Sequence, residues 1–238
     1  MIFQSLKTND IQIRAVSPQT TLETNDDLQR WNADHLGFRW GQAQRINEKF
    51  FAGEISAEEW LELYDAMLLE GHANAWWIGR GFAGDNSDFN DDDLFIGRGY
   101  RDADADYLLK FYNDVMIGVY SDEDGNPKKR MMHSRSRLYI GKLRGTTNEA
   151  FVDGSSESAL FYWRLGGNEE HCTECPSFVD IFDGVTKDTM FTTPGAGDTP
   201  CLGNCLCHLE SVANSMSQVG PLAVSLPYED DDLNQIAA

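Results

Sequence analysis

All five cysteines of the 238-residue chain lie between positions 172 and 207. Cys172 and Cys175 form a C-x-x-C pair, and Cys201, Cys205 and Cys207 follow as C-x-x-x-C-x-C. Thiolates are ligands that Zn²⁺ prefers, and two such groups from separate loops can close a tetrahedron around one ion. The Pro and Gly residues of "TTPGAGDTP" would turn the chain back to bring them together. With His171 and His208 at the flanks, seven donors compete for four places. Cys172, Cys175, Cys201 and Cys205 are the favoured set, with Cys207 next, because adjacent C-x-C donors bend less readily around a single ion. Four protein ligands leave no open position, so the expected centre is a structural zinc site. An odd, clustered cysteine count suits a disulfide framework poorly. Reduced thiols in a small core are the competing reading, and an Fe–S cluster has no supporting context.

Other chemistry is thinly represented. Zinc deaminases place H-x-E before P-C-x-x-C. Here "TPCLGNC" is one residue too long and "HLE" (His208 to Glu210) comes after it. No G-x-S-x-G elbow, G-x-x-x-x-G-K loop or H-E-x-x-H helix occurs. "DADADY" fails as a calcium loop, with Tyr107 at the glycine position and Asn113 at the final carboxylate position, so its acids read as solvated charges at a helix start.

A net charge of −20, with 39 acidic against 19 basic residues, repels nucleic acid and anionic membranes from the surface as a whole. One stretch departs from this. "KKRMMHSRSRLYIGKLR" carries Lys128, Lys129, Arg130, Arg135, Arg137, Lys142 and Arg144 and no acid. It is a candidate strip for docking an acidic protein or touching phosphates at short range, and internal pairing with the chain's own acids is an equal alternative. The opening residues lack an apolar run and cleavage site, and no 18-residue apolar stretch occurs, so neither a secretory leader nor a membrane span is expected.

The elements that must position these residues are mostly helical. Leu28, Trp31, His35 and Phe38 recur at helical spacing between Asp26 and Phe51. "GEISAEEWLELYDAMLLEG" is the clearest helix: Ser56 and Glu59 write a capping box, and Trp60, Leu63, Tyr64, Met67 and Leu68 form its buried stripe. His72 is then a helix-end histidine. Residues 79–100, rich in Gly, Asn and Asp, read as a loop, followed by a helix from the "DADAD" acids to about Tyr120. Pro127 opens another helix, through about Asn148. "SALFYWRLGG" suggests a strand leading into the cysteines.

In that order, "HSRSRLYIGKLRGTTNEAF", an aromatic strand with Trp163, "EEHCTECPSF" and "TTPGAGDTPCLGNCLCHLE" resemble the C-terminal half of tailed-phage minor head proteins, the head-morphogenesis family typified by that of phage Mu. The upstream "GEISAEEWLELYDAMLLEGHANAWWIGRG" is similar to the N-terminal helix pair of these proteins. The resemblance implies a non-enzymatic virion component acting in head assembly or head–tail connection and assembled in the host cytoplasm. It also implies the portal or major capsid protein as partner, with packaged DNA a further partner for the basic strip. A capsid decoration protein and a zinc-dependent nucleic-acid enzyme are the alternatives. The expected fold class is α+β and mainly helical. It is divided into an arm over 1–22, a helical domain over 23–150, a small metal-bound domain over 151–215 and an acidic tail over 216–238.

Overall fold

The computed structural model describes residues 25–85, 87–167, 172–197, 200, 205–213, 216–222, 224 and 226. The arm expected over 1–22 lies outside them. Four long helices come first: α1 (Asn25–Phe51), α2 (Ala57–Phe82), α3 (Asp91–Met116) and α4 (Lys129–Gly154). Strand β1 (Leu160–Arg164), the short helix α5 (Cys175–Ile181), β2 (Asp183–Val185), β3 (His208–Ala213) and β4 (Met216–Val219) follow. The architecture is therefore mainly helical α+β.

Helix α2 sits at the centre, packed against α1, α3 and α4. Its start is capped as its sequence predicts, with the Glu59 amide donating to Ser56 Oγ at 3.1 Å and the Ser56 amide to Glu59 Oε2 at 2.8 Å. It continues well beyond Gly71, to Phe82, so His72 lies mid-helix and only 2% exposed. The small residues that break the helical pattern here are contact points. A Cβ on Gly79 would lie 2.2 Å from the Thr147 carbonyl oxygen of α4, and one on Gly97 of α3 would lie 2.6 Å from the Ala73 amide of α2.

The loop expected over 79–100 shrinks to the residues between Phe82 and Asp91. Asn90 caps α3 by accepting from the amides of Asp92 (2.9 Å) and Asp93 (3.3 Å), while the Asn90 amide donates to Asp93 Oδ2 at 2.9 Å. Asn and Asp serve loops and helix starts alike, and the acids of the first turn complement the helix dipole. "DADAD" is consequently mid-helix, and Asp104 is buried. Pro127 lies ahead of α4, in an isolated bridge to Ser121.

The strands form one antiparallel sheet in the order β2-β1-β3-β4. Phe161 and Trp163 of β1 and Leu209 of β3 turn inward, fully buried, against α5 and the far ends of α2 and α4. Phe151 of α4 packs edge-on against both Phe82 and Phe161. A boundary at 150 thus falls inside α4, which serves the helical core and the sheet together. Nor does the tail begin at 216. Residues 216–219 form β4, and Leu226 is buried in the helical core. Side chains of α1 hold this segment: Gln29 Nε2 donates to the Gly220 carbonyl at 2.7 Å, and Asn32 Nδ2 to that of Leu222 at 3.1 Å.

Candidate metal centre

The sheet register delivers the cysteines. Because Arg164 of β1 faces His208 of β3, the chain just past β1 runs beside Cys205–Cys207 as they enter β3. The approach is close: a Cβ on Gly166 would fall 2.1 Å from the Leu206 carbonyl oxygen, so only glycine fits. The Gly166 amide can therefore donate to the Cys207 sulfur. From the other side, Pro176 starts α5 and sets Cys175 at its first position.

The thiol sulfurs of Cys175, Cys205 and Cys207 all lie within 4.8 Å of one another, and each residue is at most 3% exposed. The sulfurs of Cys175 and Cys205 are 4.0 Å apart, and Cys172, half-buried, reaches Cys175 at 3.0 Å. A tetrahedral ion with metal–sulfur bonds of about 2.3 Å has sulfur–sulfur edges of about 3.8 Å, so the buried triplet needs little adjustment to hold one. At Cys207 the surroundings favour thiolate. The Cys207 thiol is drawn well below its ordinary value, first by hydrogen bonding with Cys205 and then by the Gly166 amide and the Trp163 indole, against burial, which raises it. Among the described residues the buried Trp163 N–H has no oxygen or nitrogen acceptor, and the Cys207 sulfur is the group beside it.

Cys207, ranked next after the favoured four, thus lies with Cys175 and Cys205. Two donors in C-x-C can meet one ion here because Cys205 and Cys207 are both buried, with the half-buried Leu206 between them. Cys175 and Cys205 are in the triplet and Cys172 lies beside Cys175 without joining it, whereas Cys201 and His171 fall outside the described residues. His208 is in β3 opposite Arg164, where burial lowers its proton affinity, and is not one of the three gathered donors.

The basic strip does not form one outward face. On α4, Met132, Ser136, Tyr139, Ile140 and Leu143 turn into the core, so the charges between them are spread around the helix. Lys129 pairs with Glu48 at 2.6 Å and Lys142 pairs with Asp104. The Arg135 guanidinium lies over the rings of Phe111 and Tyr139, and Arg137 donates to the Leu226 carbonyl at 3.1 Å. Arg144 is buried. At the start of the strip Lys128 and Lys129 are exposed and Arg130 is half-buried.

Sequence reasoning missed a polar knot among α2, α3 and α4. His72 Nδ1 meets Thr146 Oγ1 at 2.7 Å, His72 Nε2 lies 3.4 Å from Asp104, and the Tyr100 ring stacks on the imidazole. The (i, i+4) spacing of Lys142 and Thr146 was the available signal, but their partners come from other helices. No helix among the described residues is long and apolar enough to cross a membrane. Comparison with protein-family models, with curated proteins and with solved structures gives no match to this chain.

Proposed function

We propose that the chain is a non-enzymatic structural component of a tailed-virus head, a minor head protein docking on the portal or major capsid protein, and that a single zinc ion clips its C-terminal sheet. The observation that supports the clip is the buried thiol triplet. Its donors are all sulfur, with no carboxylate or imidazole among the gathered ligands of the described residues, and it lies beneath the sheet. An all-sulfur donor set suits a structural site once a fourth thiolate closes it, and no carboxylate is gathered with the three among the described residues. The virion assignment rests on the ordered motif resemblance of residues 53–210.

The metal would be held by Cys175, Cys205, Cys207 and a fourth thiolate from Cys172 or Cys201. Two measurements test the reading. Elemental analysis of the reduced protein should find about one zinc per chain, and Cys207→Ser should lose it and melt at lower temperature. Binding by fewer than one ion per several chains, or a sheet indifferent to a strong chelator, rejects the clip. Finding the chain in purified particles at a few copies per portal vertex supports the minor-head role. A copy number matching the capsid lattice identifies a decoration protein instead, and absence from particles rejects a virion role.

A further inference from the structure

Arg144 stands out among the buried cations. Arg39 pairs with Glu70, Arg80 with Asp85 and Asp93, and Arg101 with Asp65. Arg144 is only 5% exposed, yet its hydrogen bonds go to main-chain carbonyls: Nη1 donates to Cys205 at 3.1 Å and Nη2 to Val224. Its Nε has no partner, and no carboxylate pairs with it among the described residues. In a chain with 39 acidic residues this is a notable omission. Burial, and then the like charge of Arg137, lower its proton affinity to about 10, while Cys205 acts in the opposite direction. A buried charge without a counter-charge is costly unless something nearby supplies one.

We propose that Arg144 is the counter-ion of the metal–thiolate centre. The inference rests on the clip described above and adds a specific residue to it. A divalent ion held by three thiolates carries one net negative charge, and by four thiolates two, the displaced thiol protons passing to solvent. Without the ion, the guanidinium donates among the described residues to the carbonyl dipoles of Cys205 and Val224 and to no carboxylate. Once the ion is held, the anionic complex beside Cys205 satisfies it. Arg144 therefore favours the loaded state over the empty one. Because its other arm holds Val224, loading the centre also tightens the segment that crosses α4 toward Leu226.

The test compares wild type, Arg144→Gln and Arg144→Lys. Zn²⁺ affinity is read by competition with a chromophoric chelator, and thiolate ligation by the charge-transfer absorption of the Co²⁺-loaded protein. Arg144→Gln should weaken Zn²⁺ binding roughly 10- to 100-fold with the Co²⁺ thiolate band retained, and Arg144→Lys, which keeps the charge and loses the fork, should stay within a few-fold of wild type. Equal affinity in wild type and Arg144→Gln overturns the proposal. So does an equal loss in both variants, or a failure of Arg144→Gln to fold with and without metal, since each assigns Arg144 to the carbonyl bonds alone. A wild-type chain that takes up neither ion rejects the clip itself, an outcome distinct from the others.

Discussion

His35 shows how one side chain ties stability to pH. Its Nε2 is 3.1 Å from the Gly71 carbonyl oxygen, and it is enclosed between α1 and α2. Burial, followed by the charge of Arg39 on its own helix, lowers its pKa from 6.5 to about 3. The bond to Gly71 opposes this, and His72 of α2 adds slightly to the lowering. The unfolded chain takes up a proton as pH falls through 6.5, while the folded chain resists until about 3. The contribution of His35 is therefore complete above about pH 6.5 and is lost progressively as pH falls toward 3, by about 2–3 kcal/mol at pH 4.5. Urea midpoints at pH 7 and pH 4.5 check this: His35→Gln should shrink the difference between them, and an unchanged difference removes His35 as its source. His72 is also lowered, chiefly by burial, and acts in the same direction. At this scale the sequence was partly legible. The cysteine spacing announced a metal-ligating group, but the membership of Cys207 depended on Gly166 and Trp163, which no spacing rule connects to it.

At the scale of elements, glycines decide how closely the helices approach. Gly79 meets the α4 backbone and Gly99 on α3 faces open space, so adding one methyl should have opposite effects at the two positions. Gly79→Ala must push α4 away and should cost about 1–3 kcal/mol. Gly99→Ala relieves only the entropy of a helical glycine and should stabilise by about 0.5–1 kcal/mol. Thermal melts of the two variants decide the matter, and equal shifts would refute the close packing of α2 on α4. The same glycines explain why the second half of α2 was illegible. Gly weakens a helix in isolation, yet here it lets backbones touch. Arg80 then closes the short α2–α3 connection by gripping Asp93 through Nε and Nη2, both at 2.9 Å, and the Asp88 carbonyl at 2.9 Å. A composition typical of loops thus became two helix ends and a clamp.

For the whole molecule, the net charge of −20 sets a balance between burial and self-repulsion. Salt screens exposed like charges over about 8–10 Å and leaves buried pairs such as Arg80–Asp93 largely untouched. Added sodium chloride up to about 0.5 M should therefore raise the melting temperature, because screening the repulsion among surface acids outweighs the weakening of exposed pairs such as Lys129–Glu48. A melting temperature that falls with salt would show that exposed ion pairs dominate instead. The basic strip belongs to this balance too. Much of its charge is absorbed internally by Glu48, Asp104 and the carbonyls of the C-terminal segment.

By itself the sequence determined the mainly helical α+β class, the capped start of α2, the aromatic strand and the gathering of cysteines. Each of these is written in local period, cap chemistry or short spacing. Tertiary structure alone decided that Cys207 lies in the buried triplet, that His72 and Asp104 are interior, and that β4 and Leu226 belong to the body of the molecule. Those outcomes depend on which surfaces meet. A buried His, Asp or Arg is tolerable only when another element brings its partner, and the identity of that element is not encoded within any one segment.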